Sequence, residues 1–385
     1  MHILIAPNAF KNSLDAAQAA KAIEKGLKQS QLNCTTECFP IADGGDGTGS
    51  LIIERCNGVI VPQQVHDPLG RKIDSRFGLI DKGKTAVIEM ADASGLRLLK
   101  KEELNPMQTT SYGTGELINA ALDKGANKII IAMGGSATVD GGCGILKALG
   151  VDFLDKDAKR LKTTPDDLLK LVKIDDSGLD RRIHDTETVI LCDVNNKLLG
   201  PEGAAAVFGP QKGASLSDVK LLNSFLTNFA AVSKAKLGTD MTTIKHGGAA
   251  GGATAGLYTW LNAKLANGIE YYLSLTGFEE ALKKADLVIT GEGSIDTQTL
   301  QGKGPYGVAL RAKQKNIPVI GLAGTIPTKP DAALQKYFDR LLSINQEFID
   351  MPTALANTEK NLIETAQGLG DLIASGELKF NHGNH

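Results

Sequence analysis

Short apolar runs alternate with helically spaced apolar positions at both ends of the chain. Residues 2–6 read as a strand, and Ala16, Ala20, Ile23 and Leu27 then recur at the spacing of one helix face. Ser13 is expected to cap that helix, with Asp15 in a first turn that favours carboxylates. Residues 36–40 suit a second strand, followed by a glycine-rich turn and a helix through Leu51 and Ile52. The same grammar resumes after Ala285, with a strand over 286–290, a loop, a helix over 307–314 and a strand over 318–322. Between these ends the pattern changes. Runs 59–66, 72–80 and 85–90 are β-rich and separated by Asp-Pro-Leu-Gly and Asp-Lys-Gly-Lys turns, which predicts an antiparallel meander. Helical spacing returns at 115–122, then a strand at 128–133, a glycine-dense loop, a helix at 145–149, and a long helix at 215–236 stopped near Gly238. The polar tail 380–385 is expected to fray.

Parallel-sheet grammar at both ends with a mixed pattern between them predicts an α/β chain of two domains. One is a discontinuous parallel-sheet domain over 1–65 and 281–385; a mixed-sheet α/β domain, 66–280, is inserted into it. The length of 385 residues suits this division. With 42 Lys and Arg against 44 Asp and Glu, the chain lacks the basic footprint of a nucleic-acid binder. No apolar run approaches the roughly 18 residues of a membrane span, and the start of the chain shows no basic leader, so a cytoplasmic location is expected. The 5 cysteines form no CxxC pair and read as reduced, small hydrophobes. Glycine stands out, because 43 residues are about 11% of the chain against a norm of about 7%.

Two of those glycine strings imitate nucleotide motifs. Gly78-Leu79-Ile80-Asp81-Lys82-Gly83-Lys84-Thr85 fits GxxxxGK[ST], but a phosphate loop must open a helix, and here Thr85 begins a strand. The string is expected to be a hairpin turn. Gly302-Lys303-Gly304-Pro305-Tyr306-Gly307 fits GxGxxG, yet no strand runs directly into it, Pro305 sits inside it, and the strand near Gly321 supplies no ribose-binding acid. It leaves a nicotinamide-dependent hydroxy-acid oxidoreductase as the rival enzyme class, with a non-catalytic sugar-acid sensor as a third reading.

The informative loops are those that hold an acid or hydroxyl where a strand passes into a helix. They are Asp43-Gly44-Gly45-Asp46-Gly47-Thr48, the loop 134–142 with Gly134, Gly135, Ser136 and Asp140, and the segment 290–296 with Gly291, Gly293 and Asp296. Glycine lets backbone amides approach an anion, which makes Gly44, Gly45, Gly134, Gly135, Ser136, Gly291 and Gly293 candidate phosphate contacts. Carboxylates beside a polyphosphate repel it unless Mg²⁺ lies between, so acid with glycine suggests a Mg²⁺-nucleotide, with Asp43 and Asp46 as candidate metal ligands. Taken singly, each loop has a plainer reading as a turn with a helix-capping Asp. Lys11 and Lys303 flank such loops and could offset charge on a transferring phosphoryl group; Arg71 could fork a substrate carboxylate, and Lys212 is a further cation. Asp193 follows the β-like run 188–191, and Asp193 or Asp296 could accept a hydroxyl proton.

With these residues laid out, the chain resembles the type I glycerate kinase family of bacteria over nearly its whole length. The resemblance rests on Ala6-Pro7-Asn8-Ala9-Phe10-Lys11 with Ser13, the 43–48 loop, Asp67-Pro68-Leu69-Gly70, the 134–142 loop, Phe208-Gly209-Pro210-Gln211-Lys212-Gly213, and the stretches 247–252 and 291–296. It implies ATP-dependent phosphorylation of D-glycerate, a Rossmann- or flavodoxin-like domain interrupted by a second α/β domain, and no Walker A loop. The product implied is 2-phosphoglycerate, with the 3-phosphate as alternative. The partners expected are D-glycerate and ATP with Mg²⁺, without nucleic acid or membrane, and a homodimer is the assembly in view. Asn196-Lys197 departs from the family's usual Asn-Pro and puts the local turn in question.

Overall fold

The structure, a computed structural model, describes residues 1–329, 332–345 and 350–380; residues 381–385 of the tail lie outside it. The chain divides into two compact units, Met1–Asp43 with Ile269–His385, and Gly44–Gly268.

The first unit is built on a five-stranded sheet in which every pairing is parallel. Its order is Arg340–Ser343, Val319–Thr325, Leu287–Ser294, His2–Pro7, Thr35–Cys38. The strands Leu287–Ser294 and His2–Pro7 lie at the centre, in register from Ile3 opposite Leu287 to Pro7 opposite Gly291. Their continuous apolar runs are those of strands covered on both faces. On one face Ile3, Ile5, Leu287, Ile289 and Ile320 pack with Ala19, Ile23 and Leu27 of helix Ala16–Gln29 and Leu362 and Ala366 of helix Thr358–Ala374. Those helices touch so closely that a Cβ on Gly26 would strike the Ile363 carbonyl. Asp15, not Ser13, caps helix Ala16–Gln29. The Asp15 carboxylate accepts from the Gln18 amide at 2.7 Å while the Gln18 side chain accepts from the Asp15 amide at 3.0 Å, a reciprocal box that Ser13 lacks the spacing to form. The Ser13 hydroxyl donates to the Leu355 carbonyl instead.

The second unit carries a six-stranded mixed sheet ordered Lys264–Asn267, Glu187–Cys192, Lys128–Ala132, Thr85–Glu89, Lys72–Ile80, Val59–His66. The meander expected from sequence is its antiparallel edge, and the remaining strands run parallel. Gly78 pairs with Val87 and Ile80 with Thr85 across a tight turn at Asp81–Gly83, so the GxxxxGK[ST] string is a hairpin. Helix Leu216–Leu237, with a Ser215 capping box and left-handed Gly238 at its end, buries Leu222, Phe225, Leu226 and Phe229 in this unit's core.

The sequence placed the domain borders near 65 and 280, whereas the compact units divide at 43/44 and 268/269. The difference lies in which sheet the flanking helices cover. Helix Thr48–Arg55 packs on strands Lys72–Ile80 and Thr85–Glu89. Helix Gly268–Leu275 belongs with the first unit, where the Tyr272 hydroxyl donates to the Pro40 carbonyl at 2.7 Å.

Candidate active site

In the first unit the chemistry-bearing side chains gather at the carboxyl ends of the central strands, the place where open α/β sheets put ligands. Strand Leu287–Ser294 runs through Gly291, Glu292 and Gly293, further than the sequence predicted, because Ser294 still pairs with Thr325. Gly291 has to be glycine here, since a Cβ would strike the Leu322 carbonyl of the neighbouring strand. The Asn8 amide donates to the Gly291 carbonyl at 2.8 Å, and the Asn8 side chain donates to the Asp43 carboxylate at 2.9 Å. Asp43 is thereby buried and aimed, with Asn8 satisfying one of its oxygens.

Glu292 is 8% exposed and accepts from the Thr299 hydroxyl at 3.2 Å. Burial pushes its carboxyl up to about 7; Lys303 and Lys11 pull against that, while Asp43 adds to it. The two lysines singled out in the sequence therefore share one electrostatic neighbourhood with Asp43 and Glu292. Lys303 stands at the N-cap of helix Gly304–Gln314, and the backbone nitrogen of Lys11 is 4.0 Å from a Cβ built on Gly293. Asp296 forms a local turn, accepting from the Gln298 amide at 2.8 Å. The GxGxxG string does open a helix, but strand Leu287–Ser294 ends well before it, with the turn Thr299–Gln301 between.

In the second unit two glycine loops are bonded to each other. The Gly134 amide donates to the Gly44 carbonyl at 3.1 Å, and a Cβ on Gly134 would land on the backbone of Gly45 and Asp46. Gly44 adopts φ 103°, and its amide donates to the Thr48 hydroxyl at 3.1 Å, closing the turn into helix Thr48–Arg55. Beneath this turn Glu89, last residue of its strand and 4% exposed, accepts from the Gly47 amide. Burial pushes its carboxyl up to about 7, and Asp46 and Asp92 add to the effect. Arg97 ties this acidic group together by pairing with both Asp46 and Asp92.

Loop 134–142 is held on its inner side. Asp140, fully buried, accepts from the amides of Ser111, Gly142 and Gly144 and from the Ser111 hydroxyl, so it follows the plainer reading of a capping residue. Lys212, 3% exposed, donates to the Ser136 hydroxyl at 2.9 Å and the Thr138 carbonyl at 2.7 Å. Burial pushes its ammonium down to about 7 against the opposing pull of Asp140. Asp193 is exposed just beyond strand Glu187–Cys192. Nearby the Asn196 side chain donates to the Glu202 carbonyl at 2.8 Å, so the turn that lacks the usual proline is bonded through Asn196. Arg71 is already engaged, its guanidinium donating to Asp67 at 2.5 Å and Glu103 at 2.6 Å across the 67–71 turn.

Asp43 and Asp46 thus fall in different units. Among the described residues no group of three or more His, Cys, Asp or Glu is arranged to hold a metal. Asn8 and Glu292 lay inside quoted motifs without a role of their own, and Glu89, Asp92 and Arg97 were not singled out. A signal existed for Glu89, an acid closing the apolar run Thr85-Ala86-Val87-Ile88.

No helix among the described residues is long and apolar enough to cross a membrane. The profile of the glycerate kinase family matches residues 3–374. A glycerate kinase of Bacillus subtilis is 43% identical over 99% of this chain and 100% of its own length. The glycerate 2-kinase of Escherichia coli K12 is 41% identical over 98% of this chain and 99% of its own. Among solved structures, one assigned to a glycerate kinase 2 of Salmonella typhimurium LT2 superposes with a TM-score of 0.82 at 42% identity, covering 98% of this chain and 99% of that one. Identity of this degree, sustained over nearly the whole chain, shows that the protein belongs to the glycerate kinase family, a family of enzymes.

Proposed function

We propose that the protein transfers the γ-phosphoryl group of ATP to the 2-hydroxyl of D-glycerate, giving 2-phosphoglycerate and ADP. The observation that carries the reading is the pairing of open glycine backbone with buried acids at strand ends, most directly exposed Gly293 beside buried Glu292. Backbone of this kind accepts anionic phosphate closely, and phosphoryl transfer asks a protein for positioning and charge stabilisation above all. The Escherichia coli relative, a glycerate 2-kinase, supports the choice of hydroxyl.

In this reading Gly45, Gly135, Ser136 and Gly293 are the candidate phosphate contacts, while the amides of Gly44 and Gly134 are spent inside their loops on the Thr48 hydroxyl and the Gly44 carbonyl, and Gly291 lies buried between neighbouring strands. Lys11 and Lys303 offset charge growing on the phosphoryl group. Asp43 of the first unit and Asp46 of the second are each a candidate carboxylate for Mg²⁺, which when bound would draw charge off the phosphates. A carboxylate takes the hydroxyl proton as the glycerate oxygen bonds to the γ-phosphorus and the bond to the ADP oxygen breaks. Asp193 and Asp296 are the acceptors read from sequence; Glu292 joins them because its burial sets it near the pH at which a base works best. Arg71 could hold the glycerate carboxylate only by exchanging Glu103 for it.

The test is an incubation of purified protein with D-glycerate and Mg-ATP, followed by phosphorus NMR. A 2-phosphoglycerate resonance is expected. A 3-phosphoglycerate resonance would correct the hydroxyl, and no new phosphoester would overturn the activity. A parallel incubation with NADH and hydroxypyruvate is expected to leave the NADH absorbance unchanged.

A further inference from the structure

The loop 134–138 presents an unusual combination. Its outer turn is open, with Gly135 exposed and Gly134 half-buried, while Ser136 and Thr138 are buried. Its edges are committed: Gly134 donates to Gly44, Ala137 donates to the Ser94 carbonyl at 2.8 Å, and the Gly135 carbonyl accepts from Leu96 at 2.8 Å. The amides of Gly135 and Ser136 have no acceptor among the described residues, which leaves two adjacent donors at an exposed bend. Directly beneath lies Lys212, reaching in from the separate turn Pro210–Lys212 to bridge the Ser136 hydroxyl and the Thr138 carbonyl. The Thr138 hydroxyl beside it is buried without a partner. Burying a lysine is costly, and the bonds it makes here hold only the loop.

We propose that Lys212 is a positioning residue for anion binding at loop 134–138: it fixes Ser136 and Thr138 from below so that the Gly135 and Ser136 amides receive an anionic oxygen. The inference rests on the kinase reading above, and the anion is either a nucleotide phosphate or the glycerate carboxylate. The anion draws a proton onto Lys212, because a negative charge arriving next to a buried amine favours its charged form. Free Lys212 titrates near 7, so binding is strongest below that pH and weakens above it. Asp140 is the charged group that faces Lys212. Of the segments packed around it, helix Ala204–Phe208 carries no titratable side chain, Glu103 is turned to Arg71, and Asp218 is turned to Ser215.

The experiment compares wild type, Lys212→Met and Lys212→Arg. Calorimetric titrations with Mg-ADP and, separately, with D-glycerate are run at pH 7.5 in buffers of different ionisation enthalpy. For one of the two ligands, wild type is expected to take up a fraction of a proton on binding and Lys212→Met none; the arm that shows uptake identifies the anion. In steady-state assays Lys212→Met should raise the KM for that ligand at least tenfold while kcat changes by less. Lys212→Arg, charged at every pH, should bind without proton uptake, and its KM should stay flat from pH 6.5 to 9, where that of wild type climbs. Wild type that binds both ligands without proton uptake overturns the proposal even if Lys212→Met does not fold. So does a Lys212→Met enzyme whose KM values stay within twofold of wild type. Failure of the kinase reading looks different: wild type then forms no phosphoglycerate at all.

Discussion

Glu89 lends itself to a quantitative test, because it is a buried carboxyl whose ionisation the fold resists. Its ordinary value lies near 4.5 and burial lifts it to about 7 in the folded protein. Between those limits the folded chain keeps a proton that the unfolded chain has released, so stability falls as pH rises from about 4.5 to about 7 and stays lowered above that. The difference converts to at most roughly 3 kcal/mol at pH 8. Glu89→Gln removes the ionisation while its amide oxygen can still accept from the Gly47 amide and its NH₂ can face Asp46. The variant should therefore melt close to wild type at pH 5 and above it at pH 8. For a unit of this size about 1 kcal/mol corresponds to about 2–4 °C, which sets the ceiling of the pH 8 gain at roughly 6–12 °C. Thermal melts followed by far-UV circular dichroism at pH 5, 6, 7 and 8 read this directly. A Tm difference that is the same at pH 5 and pH 8 would refute the assignment of the strained carboxyl to Glu89.

Other outcomes follow from the same site. Asp43→Asn and Asp46→Asn should each lower turnover on the order of 10² to 10³ and raise the Mg²⁺ concentration needed for half-maximal rate; near-wild-type rates with unchanged Mg²⁺ dependence in both would discard the metal assignment. In wild type kcat at saturating substrate should rise through about pH 7 as Glu292 ionises, and Glu292→Gln should lose that limb with a drop on the order of 10² to 10⁴. An unchanged pH profile would return the proton to Asp193 or Asp296. Gly134→Ala places a methyl group against the backbone of Gly45 and Asp46. Overpacking of about 1–3 kcal/mol there should raise the ATP KM by roughly 5- to 150-fold while the protein still folds, which kinetics and a melt check together.

The elements visible in the sequence are those whose apolar spacing has a single explanation. The central strands, the meander and helix Leu216–Leu237 lie where the pattern of Ile, Val and Leu placed them. Errors arose where two residues could serve one purpose. Ser13 and Asp15 are both good caps, and Gln18 decided between them through a bond that spacing alone does not weigh. The extra length of strand Leu287–Ser294 was hidden because glycine, poor in strands as a rule, is required by the close Leu322 carbonyl. The acids at the site were half visible. Asp43 and Asp46 announced themselves through flanking glycines, whereas Glu89 and Glu292 owe their character to burial, which depends on what the rest of the unit lays over them. Lys212 is the extreme case: its surroundings come from loop 134–138, far away in sequence.

The position of strand His2–Pro7 has a consequence for biosynthesis. It sits between Thr35–Cys38 and Leu287–Ser294, so once made it waits for one of its two neighbours until the residues up to Ser294 have been made as well. All the residues of the second unit emerge during that wait. The nascent protein therefore completes its middle before its beginning. Its opening segment, an apolar strand with an unsatisfied edge, is the stretch most in need of shielding on the way.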